Sequence, residues 1–176
     1  MDQVTTFMEE HLKDSKRYPE DKILTKTMIN NYAKNRLLPA PEKKKYSKEH
    51  ILLLIYIYYY KGILSISDIQ SLLEPLTERY FHTTEPLNMQ AIYEEVFSLE
   101  KSQVEKMKAD VIESYRIASE TFADAPEEEQ QFLHIFSFIC LLSFDVYVKK
   151  QVIEKLIDGL PKKESGKKHN RVGGGD

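Results

Sequence analysis

The sequence holds a single cysteine, Cys140, which excludes an intramolecular disulfide and a cysteine-built metal knuckle and fits a reducing compartment. Glycine is sparse, six in 176 residues, and none is placed to build a loop that cradles phosphates. The five histidines, His11, His50, His82, His134 and His169, include no pair at metal-ligand spacing. Neither a metal nor another cofactor is therefore expected. His50, early in the helix after Ser47, is expected at the surface or behind a site rather than as a ligand. His134 and Asp145 lie three helical turns apart, about 16 Å, and cannot pair within one helix. Glu127, Glu128 and Glu129 read as a favourable acidic first turn, not as acid catalysts, and an enzyme is not expected. The N-terminus, Met1-Asp2-Gln3-Val4, lacks the basic and apolar regions of a secretory signal, so the expected location is cytoplasmic. The most apolar stretch, residues 132–148, carries His134, Ser137, Ser143 and Asp145 and falls short of the roughly 20 residues a membrane span needs. A buried helix is expected there, and no membrane.

What the sequence does have is charge, unevenly placed. The net charge is only −3. Yet residues 16–61 contain eleven basic and four acidic side chains, whereas residues 62–160 contain eight basic and eighteen acidic ones. A basic block joined to an acidic one points to a surface for polyanions beside one that is not. Solubilising lysines on a helical face are the plainer alternative.

Apolar periodicity predicts an all-α chain. Val4, Phe7, Met8 and Leu12 mark one face of a first helix over residues 3–12. Thr25 is a natural N-cap for a helix over 26–35, and Pro39 and Pro41 prevent its continuation. Ser47 caps a helix reaching Lys61, where Gly62 is placed to end it in a left-handed conformation. Ser65-x-x-Asp68 resembles a capping box with a short acid, opening a helix that Pro75 is expected to stop. Apolar residues then recur at three- and four-residue steps over 88–122, one long amphipathic helix. Ala125-Pro126 breaks it before a second long helix over 127–160. That helix is apolar on nearly every side and is expected to be buried, at a bundle centre or between subunits.

The helix after Thr25 divides into an inner face, with Met28, Ile29, Tyr32 and Ala33, and an outward stripe of Thr27, Asn30, Asn31 and Lys34. Asparagine is a poor helix former, and two adjacent ones need a reason. Their amides can pair with N6 and N7 of adenine in a major groove, or they are merely solvated. Lys26, Arg36, Lys43, Lys44 and Lys45 suit phosphate contacts, which supply affinity and register. Tyr46 either adds a phosphate contact or plugs the lysine loop onto the core. Tyr56, Tyr58, Tyr59 and Tyr60 lie on an apolar helix and are expected mostly in the core or an interface, not as base-stacking platforms.

The run TKTMINNYAKNRLLPAPEKKKYSKEHILLLIYIYYYKGILSISDIQSLL resembles the DNA-binding domain of MerR-type transcription regulators. The matching pieces are Tyr32, Leu37-Leu38, a wing over residues 39–45, Tyr46-Ser47, Gly62, and the helix over 66–73. More closely, MDQVTTFMEEHL with LTKTMINNYAKNRLLPAPEKKKYSKEHI resembles the bacterial family DUF1836. That likeness covers most of the first 75 residues and implies a regulatory role. Arginine usually stands in MerR-type recognition helices where Thr27 and Asn30 stand here, so adenine rather than guanine would be favoured. The usual first helix abutting the recognition helix is missing, and residues 3–12 would replace it across a longer loop.

The expected architecture is a winged helix–turn–helix over residues 1–76, a helical dimerisation or effector domain over 77–161, and a disordered tail over 162–176. The expected function is a homodimeric, sequence-specific regulator that binds double-stranded DNA, with the C-terminal bundle supplying the dimer contact or a small-molecule effector pocket. The alternative is a protein-interaction module with a winged-helix shape and no DNA binding.

Overall fold

The structure, a computed structural model, describes residues 1–161; the tail expected over 162–176 lies outside the described residues. The fold is all-α. Helices α1 (Asp2–Leu12), α2 (Lys26–Lys34), α3 (Lys48–Tyr60), α4 (Ile66–Tyr80), α5 (Met89–Ser119) and α6 (Glu127–Asp158) follow in order, with a 3₁₀ turn at Lys13–Ser15. No β-strand occurs among the described residues. One antiparallel bridge, between Glu42 and Lys45, pins a tight hairpin.

Side chains fix where helices begin. Thr25 Oγ1 accepts the Met28 N–H at 3.2 Å. Ser65 Oγ accepts the Asp68 N–H at 3.1 Å, and the Asp68 carboxylate accepts the Ser65 N–H at 3.2 Å, so the shorter acid does close the capping box. Asn88 Oδ1 accepts from both Gln90 and Ala91 at 3.0 Å. Each such cap is worth about 1 kcal/mol.

Helix α3 is the centre of the N-terminal half. Leu52, Leu53, Leu54, Tyr56 and Ile57 are buried on it, and Met8 of α1, Ile29 and Tyr32 of α2, and Ile69 and Leu73 of α4 join the same core. The tyrosines of α3 divide as expected: Tyr56 is buried, Tyr58 and Tyr60 are half-buried, and Tyr59 packs its exposed ring beside Phe97. Burial pushes the Tyr56 phenol up to about 12.

Two expectations at helix ends are overturned. Gly62 is not left-handed. The chain instead winds on, with the N–H groups of Ile63 and Leu64 both bonded to the Tyr60 carbonyl at 2.9 and 2.8 Å, and this delivers Leu64 into the core. Pro75 does not stop α4, which runs five residues beyond it. The ring sits on the exposed side, where water can serve the Ser71 carbonyl that loses its donor. One turn on, Thr77 Oγ1 bonds back to the carbonyls of Leu73 and Glu74 at 2.8 and 2.9 Å.

Helices α5 and α6 form a hairpin closed at both ends. At its tip, Thr121 Oγ1 donates to Ser137 Oγ at 3.1 Å, His134 Nε2 lies 2.8 Å from the Thr121 carbonyl, and the rings of Tyr115 and Phe138 meet edge-on at 5.4 Å. At its base, Met89 and Ile157 are buried in the N-terminal core, with Tyr93, Phe97 and Ile153 packed against it. The boundary expected after residue 76 thus falls inside α4, and the long helices share the first core. The apolar stretch 132–148 is not buried within the chain: Phe132, Ile135, Phe136, Ile139 and Phe144 are all exposed. By length and composition α6 also qualifies as a membrane-crossing helix. Two helices cannot surround one of their own members, so the bundle centre expected for this stretch does not exist in a single chain.

Proline in an exposed helix interior is costly, about 3 kcal/mol against alanine. Pro75→Ala is therefore expected to raise the stability of the N-terminal half by ~1–3 kcal/mol, read as a higher urea midpoint with unchanged slope. An unchanged midpoint would mean that the surroundings of α4 already offset the cost of the ring.

Candidate nucleic-acid interface

Helix α2 carries the predicted division of faces. Ile29 and Tyr32 are buried and Met28 and Ala33 half-buried, while Thr27, Asn30, Asn31 and Lys34 are all exposed. The helix ends in a Schellman-type motif: Leu37 N–H bonds to the Tyr32 carbonyl at 2.9 Å and Arg36 N–H to the Ala33 carbonyl at 3.2 Å. Arg36 occupies the left-handed position of that motif, with φ of 57°. Glycine usually stands there, because a side chain costs roughly 1–2 kcal/mol in this conformation. The motif turns the chain so that Leu37 and Leu38 enter the core and the Arg36 side chain stays outside.

The hairpin that follows has the same character. Lys45 N–H bonds to the Glu42 carbonyl at 2.8 Å, and Lys43 and Lys44 hold φ of 47° and 63°. Two successive positive φ values define a type I′ turn, whose preferred residues are asparagine and glycine. Here both positions are lysine, and Lys43, Lys44 and Lys45 are all exposed.

The remaining cations of the basic block are partly committed elsewhere. Lys26 pairs with Asp2, and that hydrogen bond, then the charge, holds the Asp2 carboxyl below its ordinary range. Lys16 pairs with Glu9. Lys61 donates to the Ile23 carbonyl at 3.1 Å and lies 4.5 Å over the Tyr58 ring, and burial lowers its pKa. Of the expected phosphate contacts, Lys26 thus sits in an ion pair, whereas Arg36, Lys43, Lys44 and Lys45 stand outward. Tyr46 is half-buried with its ring 5.3 Å from that of His50, the arrangement of a plug beneath the hairpin.

His50 departs from expectation: it is 1 % exposed. Its Nδ1 accepts the Ser47 N–H at 3.0 Å, doing for the start of α3 what a glutamate does in a capping box. Its ring also meets Phe81 at 4.9 Å, and its buried edge faces the backbone of Pro39 and Ala40. The next residue, Glu49, accepts the His82 N–H at 2.8 Å and lies 2.7 Å from His82 Nδ1. The first turn of α3 thereby ties the segment after α4 to the root of the hairpin. The S-x-x-H spacing was the available signal, obscured because histidine is an unusual partner in a capping box.

Two of the surface pockets lie in this half. One, of ≈ 250 Å³, is bounded by Glu42, Lys43, Lys45, Tyr46, His50 and His82; the other runs beside α1, from Thr5 to Lys26. Both lie outside the C-terminal hairpin. Among the described residues no group of three or more His, Cys, Asp or Glu is placed to hold a metal.

The chain is an all-α protein whose N-terminal half combines a short exposed helix with a lysine-tipped hairpin. It belongs to the family described as domain of unknown function DUF1836, whose profile matches residues 1–96. No curated protein and no solved structure matches it.

Burial, then the neighbouring His82, lowers the His50 pKa. The unfolded chain therefore takes up this proton at a higher pH than the folded one, so stability is full above about pH 6.5 and falls as pH drops below it. His50→Gln keeps a capping-box acceptor and removes the titration. Urea midpoints at pH 7.5 and 5.5 are expected to differ less in this variant than in the parent; an equal difference would assign the pH dependence to other groups.

Proposed function

We propose that residues 25–73 form a MerR-like winged helix–turn–helix that binds double-stranded DNA, and that the protein is a dimeric, cytoplasmic transcription regulator. Helix α2 would enter the major groove with Thr27, Asn30, Asn31 and Lys34 toward the base edges, and Arg36, Lys43, Lys44 and Lys45 would meet phosphates. A dimer would read two half-sites about one helical turn apart, or a multiple of it.

The observation that carries this reading is strain. Arg36, Lys43, Lys44, His82 and Phe122 all stand at positive φ; the three between α2 and α3 are cations in positions where glycine or asparagine would be more stable. Non-glycine residues persist in such conformations where their side chains serve a purpose, and the property shared by these three is an exposed positive charge. A solvating lysine could stand anywhere on the surface at no such cost. The stripe on α2 adds a second, weaker support, since adjacent asparagines lower helix propensity on a face that packs against nothing.

Stability and binding should move in opposite directions when that strain is relieved. Lys43→Asn with Lys44→Gly is expected to raise stability by ~2 kcal/mol and to weaken binding to all duplex sequences. The slope of log affinity against log salt should become shallower by about 2. Asn30→Ala or Asn31→Ala should instead change preference among sites selected from random duplexes. Loss of neither affinity nor preference in these variants would overturn α2 and the lysine hairpin as the reading head, and absence of salt-dependent duplex binding in the parent would favour a protein-interaction module.

A further inference from the structure

The hairpin of α5 and α6 is incomplete in one chain. On α5, Val104, Met107, Val111, Ser114 and Ala118 follow alternating steps of three and four, the spacing of a helix–helix seam. Ala118 is buried and Val104 and Ser114 are half-buried, so this face is the one turned inward. Yet Met107 and Val111, between them, are 55 % and 45 % exposed. Helix α6 repeats the pattern. Its inward row, His134, Ser137 and Leu141, is half-buried, but the row continues through Phe144 and Val148, which are 64 % and 57 % exposed. The hairpin is sealed at its tip and its base and open along its middle.

A second apolar surface lies on the far side of α6. At 100° per residue, Phe132, Ile135, Phe136, Ile139, Val146 and Tyr147 fall within an arc of about 120°, and all six are exposed. The stripe is about 22 Å long and has no side chain charged at neutral pH along this length; it ends at the Lys150–Glu154 ion pair. Asp145 lies off it and pairs with Lys149.

We infer that a second copy of this chain covers these surfaces, the two hairpins combining into a four-helix bundle in which α6 is central. Area supports this occupant. Phe132, Phe136 and Tyr147 are each more than half exposed, and at ~150–250 Å² per aromatic side chain they alone present on the order of 350 Å². The exposed aliphatic residues of α6 add a comparable amount. A stable dimer needs about 800 Å² from each partner, and the largest apolar patch on a monomer is about 300–600 Å². An uncharged face also meets its own copy without like-charge repulsion, as a two-fold contact requires. A bilayer fits less well, because α5 would accompany α6 with Glu105, Lys108, Asp110, Glu113, Arg116 and Glu120, all exposed, and such side chains are costly in hydrocarbon. The inference shares only the dimeric state with the DNA-binding reading, and its test uses no DNA, so the two can fail separately.

Sedimentation equilibrium of the full chain at micromolar concentration is expected to give twice the 20.6 kDa chain mass. Ile139→Glu should weaken the dimer by about a hundred-fold or more and leave the urea transition of the N-terminal half in place, whereas Lys108→Ala should leave the dimer intact. Should Ile139→Glu fail to fold, a spin label on Cys140, the only cysteine, still reports. An inter-chain dipolar signal that disappears on dilution with unlabelled chain supports the bundle. A monomer at 100 micromolar (~), a dimer indifferent to Ile139→Glu, or a monomer that sediments with phosphatidylcholine–phosphatidylglycerol vesicles would overturn it.

Discussion

The buried first turn of α3 is the joint on which the N-terminal half depends. An apolar helix has no free side, so its backbone donors must be served from within the protein. His50 serves one of them from a fully buried position, receiving the Ser47 N–H while its ring fills space between Tyr46 and Phe81. Glu49, its neighbour, reaches in the other direction to His82. One helical turn therefore sets the position of the lysine hairpin before it and of the connection after α4. The hairpin has only one bridge of its own, and without this root it would be a loose loop of three lysines.

The same half shows where stability has been given up. The turn between α2 and α3 contains three cations in left-handed conformations, at a combined cost of several kcal/mol by the usual scale. That is a considerable share of the net stability of an ordinary domain. The dense core around α3, with Leu53, Leu54 and Ile57 fully enclosed, is what can bear it. Rigidity in α3 and strain in the segment before it are two aspects of one arrangement.

Much of the secondary structure was legible because three of the six helices announce their start with a capping residue, Thr25, Ser47 and Ser65. The outward stripe of α2 was legible for a related reason, since helical period alone separates Ile29 and Tyr32 from Asn30 and Asn31. What escaped depended on surroundings. Pro75 breaks helices in general, but on an exposed face with its freed carbonyl in reach of water it does not. Gly62 can be left-handed, but the pull of Leu64 into the core favours a continued right-handed turn. The burial of His50 depends on Phe81, thirty-one residues away, which no local pattern reveals. The apolar character of α6 was plain, but whether it is covered depends on how many helices share its company.

The burial of Ile157 carries a consequence for how this chain divides. The family profile ends at residue 96, eight residues into α5, yet the last turn of α6 returns to pack Ile157 and Ile153 on the same core that holds Leu73 and Met89. The family segment of this chain thus shares its core with residues outside it. Part of its hydrophobic core is contributed by residues some sixty positions further on, so the span of the family profile and the span of the core differ. Ile157 and Ile153 thereby place the end of α6 beneath the helices that carry the charged face.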